Sequence, residues 1–482
     1  MVTVTDFRNL ASTAAALAAE HLETLAERPV YRPVPPADRE WLVGQPLPEE
    51  GRPLDELLED VSRRVMGYPM GNGHPGFFGW VNSPPSPAGV LVTPLAAALN
   101  PSCAGGEHAG PLLERTVVRW LAELVGYPGG GLLTSGASMA TIVALAAARH
   151  RAATEDGWDV RAEGLAGRPP LVLYVSAEGH SCLRKAAELL GIGTRWLRTV
   201  PVDAEFRMDP DALAELVRAD RAAGLRPFCV AASAGTVNTG AVDPLDEIAD
   251  VAAAHGLWLH VDGAYGALGA LAADLADGFA GLARADSLAL DPHKWLGVPV
   301  DCGCALLRDP DRARAAFSLV PAYLRDPDAD EFGWFAEYGP EQTRPFRALR
   351  VWATIAHLGR AGVAGLVERT VGLAGRLAQL VREAEDFELL APVATSIVAF
   401  RHRPAGGGAD LNRELPAAVN ARGRVFLTGT NLGGTEALRA CILHPDTTED
   451  DLVALLAEIR AAAAELAQLS STQTSSPRTA TG

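Results

Sequence analysis

Asp291-Pro292-His293-Lys294-Trp295 follows directly on the apolar run Ser287-Leu288-Ala289-Leu290 and lies about thirty residues beyond His260-Val261-Asp262-Gly263-Ala264-Tyr265-Gly266. Each leading run is short and apolar, as in a strand buried on both faces of a sheet. Asp262 closes the first strand, and Lys294 stands just beyond the second. A lysine and an aspartate so placed suit pyridoxal phosphate (PLP) chemistry. The lysine forms a Schiff base with the cofactor aldehyde. The aspartate faces the pyridine nitrogen and keeps it protonated, so that the ring accepts electrons. Taken singly, Lys294 reads as a surface lysine and Asp262 as a strand-end cap; the pairing carries the inference.

Around this pair, helices alternate with short apolar strands. Strands are expected at 171–175, 228–232, 258–261 and 287–290, with helical segments such as 183–190 and 211–222 between them. This is the α/β pattern, a mostly parallel sheet covered on both faces. Upstream, 112–125 is helical and ends at Gly126, and Thr134-Ser135-Gly136-Ala137-Ser138 opens a second helix reaching about His150. Downstream, a helical region over 348–377 leads to a smaller domain with strands at 396–400, 425–428 and 437–442 and a last helix over 448–469. At the N-terminus an amphipathic helix over 5–28 precedes a Pro-rich extended connection over 33–48 and a helix over 55–65. Such an arm is too short for a core of its own. The expected division is an N-terminal helical arm over 1–110 packing on a partner subunit, a large cofactor-binding domain over 111–365, a small C-terminal domain over 366–469 and a disordered tail over 470–482.

Composition narrows the partners. The 482 residues suffice for two or three domains. Their 42 basic and 59 acidic side chains give a net charge of −17, which argues against nucleic acid or an anionic membrane as partner. Six scattered cysteines do not form a disulfide framework, and Cys302-Gly303-Cys304 reads as two buried thiols in a strand. The N-terminus lacks the layout of a signal peptide, and no apolar run is long enough for a transmembrane helix. A cytoplasmic enzyme is expected, and the high Ala, Gly, Arg and Pro content suggests a GC-rich bacterial genome.

In an open α/β sheet, ligands bind beyond the carboxyl ends of the strands, and the candidate residues gather there. The 134–138 turn has backbone N–H groups and hydroxyls that can hold a phosphate at a helix start, or serve as an ordinary N-cap. His180, following the 171–175 strand, can stack on the pyridine face. Thr236 ends the next strand, placed to bond the cofactor 3-hydroxyl or a substrate carboxylate, or to close a turn. His293 is placed to reach the phosphate or the substrate.

These stretches, together with His74-Pro75-Gly76-Phe77-Phe78-Gly79, Glu178-Gly179-His180-Ser181 and Phe346-Arg347-Ala348-Leu349, make the chain similar to the group II PLP-dependent decarboxylases, the family of the aromatic amino acid, glutamate, diaminobutyrate and tyrosine decarboxylases. The likeness runs from about residue 50 to 465. It implies a type I fold, with a mostly parallel seven-stranded sheet, a smaller C-terminal α/β domain and an N-terminal helical arm. It also implies a homodimer with two active sites at the interface. By this resemblance Lys294 is the Schiff-base lysine, Asp262 the ring-nitrogen partner and His180 the stacking ring, with Ala264 against the other face. Ala137, Ser138 and His293 surround the phosphate. His74 and the stretch Phe78, Trp80, Val81 and Asn82 line the substrate pocket.

The resemblance further implies decarboxylation of an L-amino acid, with a tyrosine on a loop after the lysine returning a proton to the reacting carbon. Here that loop spans roughly 319–344 and holds Tyr323 and Tyr338. Counted back without gaps from Phe346-Arg347-Ala348-Leu349, the family tyrosine falls on Phe335, three residues before Tyr338. Two outcomes stay open: an amine, with Tyr338 or another group as proton donor, or an aldehyde formed with O2 because Phe335 cannot donate. A PLP aminotransferase and a non-catalytic PLP-binding protein are the remaining alternatives. Trp80 and Phe78 either favour an aromatic or apolar substrate side chain or belong to the core packing. Arg347 and Arg439 are either anion binders or salt-bridge partners.

Overall fold

The computed structural model describes residues 4–319, 333–403 and 410–474. Its chain divides into two compact units. One comprises Val81–Gly375 with Ala391–Val398; the other takes the residues up to Trp80, Arg376–Leu390 and the residues from Ala399 onward.

The first unit is built on seven strands: β1 (Gly130–Thr134), β2 (Leu171–Ser176), β3 (Leu197–Val200), β4 (Arg226–Ser233), β5 (Trp258–Asp262), β6 (Ser287–Leu290) and β7 (Gly303–Leu307). They lie in the order β1-β7-β6-β5-β4-β2-β3. Neighbours from β6 to β3 are parallel, and β7 runs antiparallel to both β6 and β1. Strands β2, β5, β6 and β7 are buried along their whole length, as continuous apolar runs require when helices cover both faces. The helix Ala137–Glu155 supplies much of the core with Ala140, Val143, Leu145, Ala147 and Ala148. Its small side chains let it lie close to the sheet.

Register places the chemistry. Asp262 ends β5 opposite Ala289 of β6, so Asp291 to Lys294 begin one residue past the neighbouring strand end. Gly263 N–H donates to Ala289 O, and Asp291 N–H donates to Ala264 O, which joins the two loops. The turns after β1, β2 and β4 leave the same edge of the sheet and carry Ser138, His180 and Thr236.

A second sheet is formed by β8 (Phe387–Leu389), β9 (Ile397–His402), β10 (Thr428–Leu432) and β11 (Thr435–Cys441), in the order β10-β11-β9-β8; all of it but Ile397 and Val398 belongs to the second unit. The N-terminal segment of that unit differs from the sequence expectation. Residues Pro36–Gly44 form a helix where a Pro-rich extended connection was expected. Pro36 occupies the first helical position, where the missing N–H costs nothing and the restricted φ favours the helix.

Candidate active site

Lys294 sits in a tight turn directly after β6. Its N–H donates to Asp291 O, and its own carbonyl accepts from Gly297 N–H at 3.1 Å and from the Ser83 hydroxyl at 2.5 Å. The partly exposed amine lies 3.4 Å from Asp291 Oδ2. Asp291 is buried; its Oδ1 accepts from Ala137 N–H at 2.6 Å, and its Oδ2 lies 3.7 Å from His293 Nε2. Burial pushes this carboxyl up, against the pull of Lys294 and then His293. The sequence reading gave Asp291 no role. Its signal was there, an acidic residue three before the lysine, but its partner Ala137 is reached only through the fold.

Trp295, the next residue, is fully buried and stacks on Tyr265 at 5.0 Å, with its indole N–H donating to Thr370 Oγ1. Tyr265 hydroxyl contacts Ser396 Oγ at 2.6 Å and accepts from Ser396 N–H. The two strand-end loops that carry Asp262 and Lys294 are therefore clamped to each other by two rings.

Asp262 is buried at the end of β5, with Oδ1 accepting from Ala264 N–H at 3.2 Å. His180 stands exposed on the loop after β2. Cys182 N–H donates to its Nδ1 at 3.1 Å, so the neutral ring carries its proton on Nε2. Partial desolvation lowers its pKa, opposed by Asp262, and keeps it neutral. His293 Nδ1 rests against Cys302 O at 2.6 Å, which orients the ring. Thr236 is buried, and its hydroxyl accepts from Ala241 N–H and meets Thr239 Oγ1 at 3.0 Å, as the turn alternative required.

The helix Ala137–Glu155 begins at Gly136 with no side-chain capping bond. Its Ala137 N–H is taken by Asp291, while Ser138 is exposed at the opening. A helix start whose N-cap is a glycine, a lysine amine and a buried carboxylate on adjoining strand ends are the groups that a phosphorylated pyridine aldehyde needs, and the residues present fit PLP.

Loop residue Tyr323 lies outside the described residues. Phe335 is buried in the core cluster, its ring facing the guanidinium groups of Arg115 at 4.9 Å and Arg344 at 5.0 Å. Arg344 is itself buried on Glu114, which it contacts at 2.6 and 3.0 Å. Tyr338 is half-buried at the margin of the same cluster, and burial raises its pKa. Arg347 pairs with Glu341 and Asp301, which makes it a salt-bridge partner. Cys302 and Cys304 are buried, with Cys304 in β7.

His74, Phe78 and Trp80 belong to the second unit, Val81 and Asn82 to the first. His74 Nδ1 accepts from Gly76 N–H. Phe78 is fully buried, bonded through its backbone to Phe426 O and Cys441 N. Trp80 is 47% exposed, contacts Phe426 at 5.1 Å and Phe77 at 6.0 Å, and adopts φ +47°. Its carbonyl accepts from Arg439 at 2.7 Å.

Residues 36–403 match the model of the pyridoxal-dependent decarboxylase conserved domain. The chain is 32% identical to an aromatic-L-amino-acid decarboxylase of Bacillus atrophaeus over 472 residues, 96% of each chain. It is 31% identical to a phenylacetaldehyde synthase of Arabidopsis thaliana, covering 89% of this chain and 90% of that one. Among solved structures, Oryza sativa TDC with PLP and tryptamine superposes with a TM-score of 0.89 at 28% identity, over 96% of this chain and 99% of that one. A lysine and an aspartate on adjoining strand ends, in a sheet and a sequence shared across these enzymes, carry one conclusion: the chain belongs to the pyridoxal-dependent decarboxylase family and is a PLP-dependent amino acid carboxy-lyase.

Proposed function

We propose that the enzyme removes CO2 from an L-amino acid with an aromatic side chain and releases the amine. The observation that carries this reading is the joining of the Lys294 turn to the Asp262 strand end through Asp291 and Ala264. The aromatic amino acid decarboxylases among the relatives support the aromatic preference.

When bound, PLP supplies an electron sink for the charge left behind as CO2 departs. The protein's own groups do the rest. Lys294 Nζ would hold the cofactor and is the amine placed to move a proton. Asp262, steadied by Ala264 N–H, would hold the proton of the ring nitrogen. Neutral His180 would offer a flat face without adding charge, with Ala264 on the other side. Ser138 and His293 would hold the phosphate. With its N–H given to Asp291, Ala137 contributes by seating that carboxylate.

A second reading is favoured by Phe335. A phenyl ring where the family has tyrosine cannot return a proton to the reacting carbon. In that branch O2 would be the oxidant and water the co-reactant, giving aldehyde, ammonia and hydrogen peroxide in place of the amine. The phenylacetaldehyde synthase among the relatives supports this branch. Amine formation remains the first reading, with Tyr338 as the described candidate donor. Incubation with a panel of L-amino acids in air, following CO2, amine, aldehyde and peroxide together, tests both. CO2 matched by amine establishes simple decarboxylation; CO2 matched by aldehyde and peroxide establishes the oxidative branch. In that branch Phe335→Tyr should move product from aldehyde to amine by about tenfold or more. Unchanged yields in the variant sink the role of Phe335.

The same reading includes a homodimer with interface active sites. The helix Pro87–Leu99 supports it by exposing Leu91, Leu95 and Leu99 at a spacing of four, along one face. It also takes the enzyme to be cytoplasmic, supported by six buried cysteines that form no disulfide. Among the described residues, no helix is long and apolar enough to cross a membrane.

A further inference from the structure

Behind Asp262 runs a line of buried polar side chains that the chemistry above leaves unused. Asp262 Oδ2 faces Cys182 Sγ at 3.8 Å, and Sγ lies 4.0 Å from Thr141 Oγ1. Thr141 Oγ1 is 3.4 Å from His260 Nε2, and His260 Nδ1 is 2.9 Å from Ser287 Oγ. Trp258 Nε1–H donates to that same Ser287 oxygen at 2.8 Å. Trp258, His260 and Asp262 alternate along β5 and so share one face of the sheet. Ser287 comes from β6, Thr141 from the helix Ala137–Glu155 and Cys182 from the helix Cys182–Leu189. Every member is buried.

The chemistry of the two ends gives the line a direction. An indole N–H can only donate, and an ionised carboxylate can only accept. Ser287 accepts from Trp258 and can pass its own proton to His260 Nδ1. Burial pushes His260 down to about 4, so the ring is neutral, with one donor and one acceptor nitrogen. Its proton then sits on Nε2 and goes to Thr141, and the Thr141 hydroxyl turns to Cys182 Sγ. Burial pushes the Cys182 thiol up to about 12, so it keeps its proton. The one group left for that proton is Asp262 Oδ2.

We propose that Cys182 is a positioning residue for Asp262: its S–H, aligned by Thr141, His260, Ser287 and Trp258, donates to Oδ2 and sets how tightly the carboxylate holds the proton of the cofactor ring nitrogen. The inference rests on Asp262 as the ring-nitrogen partner. Sulfur is a weak donor. A thiol therefore bonds the carboxylate more weakly than a hydroxyl would, and more strongly than no donor at all. Cys182 N–H donates to His180 through the backbone, so side-chain substitutions leave that bond in place.

The test compares holoenzyme loaded with PLP labelled with 15N in the ring, in the wild type, Cys182→Ser, Cys182→Ala, Thr141→Val and Asp262→Asn. The ring-nitrogen NMR resonance reports where the proton lies, and equilibrium dialysis gives PLP affinity. Cys182→Ser should move the resonance toward a fully protonated nitrogen and keep affinity within about threefold. Cys182→Ala should move it the opposite way and weaken PLP binding about tenfold, the loss of one weak hydrogen bond. Thr141→Val, which keeps the branched shape and leaves Cys182 itself unaltered, should move it in the Ala direction by less. If Cys182 only fills space, Ser and Ala, both smaller, will behave alike, and that result overturns the proposal. So does an unmoved resonance in all three variants while Asp262→Asn moves it. If Asp262→Asn also leaves the resonance unmoved, the failure lies with the ring-nitrogen role of Asp262 itself.

Discussion

Lys294 pairs with Asp291 Oδ2 at 3.4 Å, and its carbonyl is tied to Ser83. The amine is thus aimed by its own turn. Lys294→Ala should lower activity by about a thousandfold or more, since the covalent anchor and the mobile amine go together. Borohydride reduction of the wild-type holoenzyme should place the cofactor on a peptide containing Lys294. A label on any other lysine would refute the assignment. His260 carries a second prediction. Its ordinary pKa is 6.5, and burial lowers it to about 4 in the folded protein. Above pH 6.5 the ring is neutral in both states and contributes nothing. As pH falls below that value, the unfolded chain takes a proton that the folded one refuses, so stability drops until the folded ring titrates as well. Between pH 7 and about 4.5 this amounts to about 2–3 kcal/mol. Urea unfolding at the two pH values should show an acid-induced loss smaller by that amount in His260→Gln. Equal losses in variant and wild type would show that the ring does not titrate this way.

At the scale of elements, the turn before the helix Ala137–Glu155 depends on a glycine far away in sequence. A Cβ on Gly303 of β7 would stand 2.4 Å from the Gly136 carbonyl carbon. Gly303→Ala therefore has to displace the turn that leads to Ser138, and PLP binding should weaken at least about tenfold. Equilibrium dialysis decides it. Gly359→Ala, where a Cβ meets nothing within 4 Å, is the control, expected to lose stability but not affinity. Such pairings explain what was legible in the sequence. Strands β2, β4, β5 and β6 were, because their apolar runs are unbroken. Strand β1 was not, because Gly130 and Gly131 hide it, and β3 was not, because only Val200 of its four residues is buried. The strand expected at 425–428 begins at Thr428 instead: Asn420 bonds both the N–H and the carbonyl of Leu427 and takes it out of the ladder. Lys294, Asp262 and His180 were legible as residue types at strand ends. Asp291 and Cys182 were not, since their meaning lies in contacts across the sheet with Ala137 and Thr141.

At the scale of the whole molecule, a net charge of −17 and three exposed leucines on one helix pull in different directions. The charge keeps copies apart in general, and the apolar face rewards one specific approach. Leu95→Glu should convert a dimer to a monomer in sedimentation and remove most activity; a wild type that sediments as a monomer would rule out the shared interface. The six buried cysteines have a use of their own. Five of them, Cys103, Cys182, Cys229, Cys302 and Cys304, lie in the sheet unit, and Cys441 lies in the other. Each is silent toward a thiol-reactive dye until its surroundings open. The native protein is thus a built-in clock with six hands, and the order in which they are labelled ranks how often each part of the chain breathes.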